Sequence, residues 1–291
     1  MKFSIVIPLY NKQDCIRQAL DCVFNQSFQD FEVIVVDDGS TDRGAEIVRE
    51  YKDERLRLVS QKNSGVSAAR NAGIAAARNS WIAFLDADDI WTHLHLETLA
   101  KLHEKFPQAE MLCTNYEKIS SNENYTDKLE HIEQKVNCYI VNNLYVRLLK
   151  DQHIIWSSTA AIKKQCFEKA GGFDTKLIKG EDLDCWFRLK EQFTLAQTDF
   201  VTAFYRIDPP EGNATNKVSS VRKYQVYYFK PDFWTWNFKS MFMYRVIYGY
   251  LKHFLVYKQP KNFLLLLFRH NFKLLRIFFY RNKAKQLGIR F

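Results

Sequence analysis

Residues 82–91 read Ile-Ala-Phe-Leu-Asp-Ala-Asp-Asp-Ile-Trp, an apolar run followed by three carboxylates within four positions. The run Ile82–Leu85 is typical of a buried strand. Carboxylates this close repel one another, and each costs free energy to remove from water without a positive partner. A solvated turn would leave the charges in water, with Asp89 as a helix cap, whereas a divalent cation would require them. The stretch therefore predicts either a surface turn or a cation site.

Similar apolar runs recur through the first 115 residues and alternate with amphipathic segments. The predicted strands are Phe3–Pro8, Phe31–Val36, Leu56–Val59, Trp81–Leu85 and Met111–Asn115. The predicted helices are one that begins near Asn11, then Arg43–Tyr51, Val66–Arg78 and Leu94–Phe106. Alternation of this kind indicates parallel pairing, and continuous apolar runs indicate a sheet covered on both faces. We therefore predict an α/β fold with a mostly parallel, Rossmann-like sheet flanked by helices.

Two acidic loops follow strands of this predicted sheet, at 37–42 and at 86–89. Ligands of such sheets bind at the carboxyl ends of the strands, so both loops should lie at one edge. Asp86 and Asp88 are two positions apart and can share a face, and Mg²⁺ or Mn²⁺ takes such oxygen ligands together with substrate phosphates. In the other loop a turn needs only one aspartate. The Asp37-Asp38 pair therefore suggests an acceptor for a ligand N–H or hydroxyl group.

The charge is distributed unevenly along the chain. Residues 217–291 contain 16 Lys and Arg and a single acid, Asp232, which gives +15. Subtraction from the totals of 42 and 33 leaves 26 basic and 32 acidic residues in 1–216, which gives −6. The same C-terminal quarter holds 21 of the 44 aromatic residues. We predict a body at 1–216 and a helical, basic and aromatic region at 217–291.

Several function classes are disfavoured. The chain contains neither GxGxxG nor GxxxxGK[ST], which argues against dinucleotide oxidoreductases and P-loop enzymes. It also has no recognised DNA- or RNA-binding module, so we expect no nucleic-acid partner. The N-terminal apolar run is too short for a signal peptide, and Pro8 interrupts it. We therefore expect a cytoplasmic protein.

Five motifs together resemble glycosyltransferase family 2, the inverting, nucleotide-sugar-dependent enzymes of the GT-A fold. They are SIVIPLYN at 4–11, VIVVDDGSTD at 33–42, NSGVSAARNAGI at 63–74, AFLDADD at 83–89 and GGFD…GEDLDCWFRL at 171–189. Their order and spacing match the family over roughly residues 2–206. The resemblance implies a GT-A fold and transfer of a sugar from a nucleoside-diphosphate donor, with a UDP-linked sugar as the expected donor.

The resemblance also implies roles for the nucleotide side. Pro8, Tyr10 and Asn11 would line the nucleotide pocket at the end of the first strand. Asp38 would accept a hydrogen bond from the uracil N–H, with Asp37 beside it. These residues belong to the first two motifs, so the nucleotide pocket is expected where those strands end.

The next motifs carry the expected diphosphate and metal residues. Arg70 and Asn71 would flank the base and diphosphate, although an exposed helix charge is the alternative for Arg70. Asp86 would lie near the ribose or the donor sugar, and Asp88 would hold Mn²⁺ or Mg²⁺ between the phosphates. A metal there would stabilise the charge that develops on the leaving phosphate.

The last motif carries the expected base. In the family it is the aspartate of an ED pair, which implies Asp182, with Glu181 contacting the acceptor or orienting the base. From the residues alone, two acids at a helix start favour capping of the helix dipole over catalysis. Arg206 is the expected phosphate contact, and Asp208 stands where the family often has histidine, so a third protein ligand to the metal is left open.

The C-terminal region contains helical patterns at Asn262–Tyr280 and Phe238–Tyr257. In the first, apolar residues recur every three or four positions beside a basic stripe of Arg269, Lys273 and Arg276. Its uncharged apolar run is far shorter than the ~20 residues that span a bilayer. The pattern favours a helix on an anionic membrane surface, with packing on the body or homo-oligomer formation as alternatives.

Taken together, the sequence predicts an inverting, metal-assisted glycosyltransferase with an aspartate base. Its acceptor would be a hydroxyl of a cell-surface glycan precursor, either a glycan or a lipid-linked saccharide, and its expected location is the cytoplasmic face of a bacterial inner membrane. Two other functions fit the sequence: a non-catalytic membrane scaffold with a transferase-like fold, and a nucleotidyltransferase. A nucleotidyltransferase would release pyrophosphate instead of a nucleoside diphosphate.

Overall fold

The computed structural model describes residues 1–120, 123–131, 136–150, 155–207, 220–231 and 237–289 of the 291-residue chain. Its strands are β1 Phe3–Leu9, β2 Phe31–Asp37, β3 Leu56–Ser60, β4 Trp81–Phe84, β5 Ile90–Trp91, β6 Met111–Ile119, β7 Cys138–Ile140, β8 Ala160–Lys163 and β9 Leu195–Arg206. Its α-helices are α1 Gln13–Phe24, α2 Gly44–Glu50, α3 Val66–Ala76, α4 His95–Lys105, α5 Tyr125–His131, α6 Leu144–Leu149, α7 Lys164–Ala170, α8 Glu181–Lys190, α9 Gln225–Tyr228, α10 Phe238–Val256, α11 Pro260–His270 and α12 Arg276–Gln286.

Within the described ranges the nine strands form one sheet in the order β3-β2-β1-β4-β8-β6-β9-β5, and β7 also pairs with β9. Strands β1 to β4 pair in parallel, as their apolar runs predict. Strand β8 is antiparallel to both β4 and β6, whereas β6 and β9 pair in parallel. The α/β fold with helices against a central sheet is therefore confirmed, and the sheet is parallel in its N-terminal half and mixed beyond β4.

The strand directions bring several chain segments to one edge of the sheet. Strands β1, β2 and β4 are parallel, so their carboxyl ends meet there. Because β4 and β6 are both antiparallel to β8, β6 and its parallel partner β9 also end at this edge, and β8 begins there. We call this the site edge. Both acidic loops of the sequence lie at it.

Helix α3 packs very closely on the sheet. A Cβ atom at Gly73 would lie 2.2 Å from the Val6 Cγ1 atom of β1, so a side chain at this position would push the helix outward. Helix α1 buries Ile16, Leu20 and Val23 in a core cluster with Ile5 and Ile7 of β1. This packing fixes where α3 begins relative to the strand ends.

The chain divides into two compact units. The described residues of the first come from Met1–Asn142, Ile155–Thr175 and Asp182–Ala214, and they include the whole sheet. Those of the second come from Asn143–Ile154, Lys176–Glu181 and Thr215–Phe291. The second unit thus takes two short internal segments in addition to the C-terminal region, which sequence composition does not reveal.

The predicted helix at Asn262–Tyr280 is wrong as a continuous element. Helix α11 ends at His270, a 3-10 turn follows at Asn271–Leu275, and α12 begins at Arg276. Asn271 has φ 35° and ψ −127°, which no α-helix accommodates, so the regular spacing of apolar residues is interrupted there. No helix in the part of the chain that the structure describes is long and apolar enough to cross a bilayer.

Candidate functional site at the strand ends

The end of β2 contains a buried carboxylate held by hydrogen-bond donors. Asp38 is 3% exposed, and its Oδ1 accepts from Gln61 Nε2 at 2.7 Å and from the Ser64 N–H at 2.8 Å. Its Oδ2 accepts from the Gly65 N–H at 2.8 Å. Because Gly65 immediately precedes α3, Asp38 joins the end of β2 to the start of that helix.

The turn after Asp38 is tied to the end of β1. Gly39 has φ 74°, and a Cβ there would lie 2.8 Å from the Asn63 nitrogen, so this position requires glycine. Asp37 Oδ1 accepts from the Ser40 N–H at 2.9 Å, and Asn11 Oδ1 accepts from the Thr41 N–H at 2.8 Å. Asn11 has φ 51° and does not begin helix α1, which corrects that expectation.

Pro8 and Tyr10 lie beside this turn. Pro8 is opposite Val36 in the β1–β2 pairing, and Tyr10 follows the last residue of β1 with 38% of its surface exposed. The predicted nucleotide-side residues therefore do converge at the site edge. Their role in binding a nucleotide stays a prediction.

Two ion pairs lie at the end of β4. The Arg70 Nη2 atom is 2.7 Å from Asp86 Oδ1, and the Lys12 Nζ atom is 2.7 Å from Asp88 Oδ2. Arg70 is 4% exposed and comes from α3, so the alternative of an exposed helix charge is wrong. Asp86 and Asp88 are thus each paired with a cation from another segment of the chain.

Lys12 is a residue that sequence reasoning missed. It immediately follows the first motif, and a lysine just before a helix is ordinarily a solvated side chain. The signal was its position beside Asn11 at the carboxyl end of β1, because that end is adjacent to the end of β4.

Asp89 is fully buried, which contradicts the alternative of a solvated helix cap. Its Oδ2 accepts from Ser158 Oγ at 2.5 Å and from Trp156 Nε1 at 3.2 Å, and a strand follows it, not a helix. Burial, with the charges of Asp86 and Asp88, raises the pKa of Asp89 well above that of an ordinary aspartate. Asp89 therefore anchors the acidic turn to the chain segment before β8.

Asp182 lies near the Arg70–Asp86 pair. It is in the first turn of α8, and the Leu183 N–H donates to its Oδ1 at 2.7 Å. Burial raises the pKa of Asp182, the charge of Arg70 opposes this effect, and Asp86 adds to it. The third acidic motif is therefore within electrostatic reach of the second. Glu181 is half-buried at the first position of the same helix.

The side chains of Asn71 and Arg206 bond to other segments of the chain. The Asn71 side chain donates to the Phe173 carbonyl and accepts from the Phe173 N–H, both at 2.8 Å, so it holds the start of the last motif against α3. The Arg206 guanidinium donates to Gln18 Oε1 at 2.6 Å. Burial raises the pKa of the Cys15 thiol, Arg206 lowers it and Asp88 raises it, so Arg206 and Asp88 act on the same thiol. Asp208 lies outside the described residues.

The donor set for a cation is sparse. Among the residues that the structure describes, no group of three or more His, Cys, Asp or Glu side chains could hold a metal ion. Mg²⁺ and Mn²⁺ are commonly held by one or two carboxylates plus substrate phosphates, without an all-protein cage. Asp86 and Asp88 at the end of β4 fit a metal of that kind, whose remaining ligands come with the substrate.

A central mixed sheet with acidic loops at its carboxyl edge is the arrangement that the resemblance to GT-A glycosyltransferases implies. Residues 4–171 match the profile of glycosyl transferase family 2. The chain belongs to glycosyl transferase family 2, which confirms the prediction made from the five motifs.

Relatives with assigned names agree with this membership. The putative teichuronic acid biosynthesis glycosyltransferase TuaG of Bacillus subtilis is 30% identical over 253 residues, which is 84% of this chain and 87% of TuaG. Glycosyltransferase GlyA of Streptococcus pneumoniae is 35% identical over 124 residues, which is 42% of this chain. The chain covers only 18% of GlyA, and 35% of an uncharacterized glycosyltransferase of Rickettsia felis.

Solved structures support the same fold. Staphylococcus aureus TarS 1–349 in complex with UDP-GlcNAc matches with a TM-score of 0.62 at 18% identity, covering 100% of this chain and 76% of that one. A second TarS structure matches with a TM-score of 0.57 at 23% identity, covering 72% of this chain and 37% of that one. The predicted GT-A fold class is therefore confirmed.

Proposed function

We propose that the protein transfers a sugar from a nucleoside-diphosphate donor to a hydroxyl group of a saccharide acceptor, with inversion at the anomeric carbon. The observation that carries the proposal is the grouping of Asp86, Asp88, Arg70 and Asp182 at the site edge, beside the loop held by Asp38. Cations and carboxylates in this arrangement suit a reaction in which negative charge moves onto a leaving diphosphate.

The nucleotide half of the site would be the loop at the end of β2. A carboxylate has about four lone-pair positions. Asp38 accepts three hydrogen bonds from its own chain, so capacity remains for one N–H of a base. Uracil presents such an N–H, and the TarS neighbour was solved with UDP-GlcNAc, so a UDP-linked sugar is the donor we propose. Pro8, Tyr10 and Asn11 would line this pocket.

The diphosphate half would be the end of β4. Asp88, with Asp86 beside it, would hold Mn²⁺ or Mg²⁺, which when bound supplies Lewis-acid stabilisation of the leaving diphosphate. Lys12 pairs with Asp88 and would give way to the metal ion. Arg206 acts together with Asp88 on the Cys15 thiol, so it can offer positive charge to the phosphate oxygens. Arg70 would orient Asp86 through their 2.7 Å pair, with Asn71 holding the neighbouring backbone.

Asp182 is the proposed general base. The acceptor oxygen forms a bond to the anomeric carbon as the bond from that carbon to the diphosphate oxygen breaks, and the hydroxyl proton passes to Asp182. Burial raises the pKa of this carboxyl, which makes it a stronger proton acceptor than a solvated aspartate. Glu181, its neighbour in the chain, would orient the acceptor or the base.

The test is an assay of UDP release by the purified chain. Donor sugars such as UDP-GlcNAc, UDP-glucose and UDP-galactose would be offered with Mn²⁺, with water or added glycosides as acceptor. We expect UDP release that requires the metal and is lost in Asp182→Asn, while UDP still binds. A parallel reaction would offer UTP and a sugar 1-phosphate, and release of pyrophosphate there would indicate a nucleotidyltransferase. UDP binding without any turnover would indicate a scaffold. Either result would overturn the proposal.

We further propose that the C-terminal region contacts the cytoplasmic surface of a membrane that contains anionic lipids. Residues 233–291 contain no acidic residue, and large apolar side chains there are exposed, such as Phe268 at 73% and Phe278 at 67%. Basic charge beside exposed aromatic residues suits an anionic bilayer surface.

Vesicle sedimentation would test this contact. Binding to phosphatidylglycerol vesicles, but not to phosphatidylcholine vesicles, should weaken in Phe268→Ser and with added salt. Lack of vesicle binding would overturn the proposal. If Phe268→Ser instead converted a dimer to a monomer in light scattering, the surface would be an oligomer interface.

A further inference from the structure

Three aromatic side chains of the first unit form a cluster that the proposed reaction does not yet use. The Trp156 ring lies 4.7 Å from the Tyr205 ring and 5.8 Å from the Tyr116 ring, measured between centroids. All three side chains are half-buried. We call Tyr116, Trp156 and Tyr205 the aromatic platform. Aromatic rings that keep part of their surface in water offer a stacking surface for a ligand.

The strand order locates the platform. Tyr116 lies in the C-terminal part of β6, Tyr205 near the end of β9, and Trp156 just before the 3-10 turn that leads into β8. All three positions are at the site edge, because β6 and β9 end there and β8 begins there. In the sheet these strands lie on one side of β4, whereas β1, β2 and β3 lie on the other. The platform is therefore across the acidic turn from the proposed nucleotide pocket.

Direct contacts join the platform to the acidic turn. Trp156 Nε1 donates to Asp89 Oδ2 at 3.2 Å, and the N–H of Arg206, next to Tyr205, approaches Asp89 Oδ1 at 3.4 Å. Burial and the carboxylates of Asp89, Asp88 and Asp86 raise the pKa of the Tyr205 hydroxyl, in agreement with this closeness. The platform thus borders the residues proposed to hold the diphosphate and the metal.

We infer that the aromatic platform is the acceptor subsite and that it binds a pyranose ring through its apolar C–H face. The inference rests on the proposed function and names its acceptor as a saccharide with at least one ring to stack. Carbohydrate rings have one face of C–H groups and a rim of hydroxyls, which suits aromatic faces bordered by carboxylates. In this arrangement Trp156 is held in place by Asp89, which makes Asp89 a positioning residue for the acceptor.

A nucleobase is the other flat ligand that an aromatic platform could stack. The nucleotide-side residues, however, come from the ends of β1 and β2, and Asp38 binds the loop before α3 on that same side of β4. A base stacked on Trp156 would lie on the far side of the acidic turn from the Asp38 loop. The acceptor is therefore the ligand that the geometry favours.

The experiment is saturation-transfer NMR on the full chain with the methyl β-glycosides of glucose, galactose and N-acetylglucosamine, recorded in the presence of UDP and Mg²⁺, which is diamagnetic and does not broaden the ligand signals. We expect at least one glycoside to receive saturation mainly at its axial ring protons. This signal should fall about fivefold or more in Tyr205→Ala and persist in Tyr205→Phe, which keeps the ring. Tyr116→Ala is a second variant, since it leaves the Trp156–Asp89 contact in place if another substitution disturbs folding.

A parallel measurement of UDP binding shows whether the platform belongs to the acceptor site or to the donor site. UDP affinity, measured by calorimetry, should change less than about twofold in the platform variants and fall in Tyr10→Ala, which lies on the nucleotide side. Equal loss of UDP and glycoside binding in Tyr205→Ala would move the platform into the donor site and overturn the inference. So would an unchanged glycoside signal. If the native chain bound glycosides through the platform but neither bound UDP nor turned over UDP-sugars, the proposed function would fail while the carbohydrate subsite remained.

Discussion

At the end of β2, the buried charge of Asp38 is balanced by hydrogen-bond donors, whereas at the end of β4, Asp86 and Asp88 are balanced by cations. Asp38 accepts from one side-chain amide and two backbone N–H groups, at 2.7 to 2.8 Å. Asp86 and Asp88 face Arg70 and Lys12, each at 2.7 Å. Both ends therefore hold carboxylates at the same edge of the sheet, but with different partners.

This difference indicates how the two regions respond to a ligand. Backbone donors cannot leave Asp38 without unfolding the start of α3, so this carboxylate is a fixed brace with little spare capacity. A lysine side chain can rotate away and be replaced by a metal ion or by phosphate contacts. We therefore expect the β2 end to act as a rigid recognition loop, and the β4 end to rearrange its ion pairs when the diphosphate binds.

The largest expected effect concerns Asp182, which belongs electrostatically to the β4 end. Asp182→Asn keeps the shape of the side chain but removes its capacity to accept a proton, so the rate of transfer should fall about 10²- to 10⁴-fold. UDP affinity should stay within about twofold, because the nucleotide contacts come from the β2 end. Rates of UDP release and calorimetric titration with UDP would measure the two effects. A variant that lost UDP affinity but kept its rate would break the division between the two ends.

The next prediction compares how much substitutions at the end of β2 and at the end of β4 lower the free energy of unfolding. Asp38→Asn has one acceptor oxygen for three donors, so it should lower the free energy of unfolding by about 2–3 kcal/mol, the scale of hydrogen bonds to a charged group. Asp88→Asn keeps an acceptor oxygen for Lys12 and removes the repulsion between Asp88 and Asp89, and these two effects offset much of the lost ion pair, so it should cost under about 1 kcal/mol.

Urea unfolding followed by circular dichroism would measure this contrast. The urea concentration at the midpoint should fall more in Asp38→Asn than in Asp88→Asn, while the dependence of the free energy of unfolding on urea stays unchanged. Equal losses in the two variants would mean that Asp38 is no more a structural brace than Asp88, and the comparison would lose its basis.

Sequence reasoning could predict the residues at the two ends, but not their partners. Asp38 and Asp86 follow continuous apolar runs, and such runs predict strand ends well because a covered sheet leaves little choice of residue. The Lys12–Asp88 pair joins residues 76 positions apart. It exists because β1 lies beside β4 in the sheet, and the strand order is not written in any local pattern.

The C-terminal region illustrates a second limit. The apolar spacing through Asn262–Tyr280 predicts one helix, and two helices, α11 and α12, each overlap this stretch. Periodicity records which residues are apolar, but it contains no information on the single left-handed backbone of Asn271 that separates the two helices. The aromatic platform was unpredictable for a similar reason, since its members come from three chain segments joined only by strand pairing.

A smaller effect is expected from substitution of Lys12, which tests whether its ion pair with Asp88 is replaced when a metal ion binds. In Lys12→Met the Asp88 carboxylate loses the cation that competes with a metal ion, so the apparent affinity for Mn²⁺ at saturating UDP should rise about two- to fivefold, the value of a weak ion pair. Lys2→Met is the matched control, because it removes the same charge from an exposed position near the start of the chain. Weaker Mn²⁺ binding in Lys12→Met alone would mean that Lys12 supports the bound complex and does not compete with the metal.

The smallest expected effect is a shift in pH dependence. Asp182 must be ionised to accept a proton, so the rate should fall as pH decreases through its pKa, which burial and Asp86 raise. Asp86→Asn removes a charge that raises this pKa, while the charge of Arg70, which lowers it, remains, so the pKa of Asp182 should fall. The acidic side of the pH–rate profile at saturating donor should therefore move to lower pH.

Asp38→Asn is the control. It should leave this acid limb where it is, because Asp38 bonds to the loop before α3. An acid limb that moved to higher pH in Asp86→Asn, or moved equally in Asp38→Asn, would mean that the charge of Asp86 does not act specifically on Asp182. The contrast between the two strand ends would then not describe the chemistry.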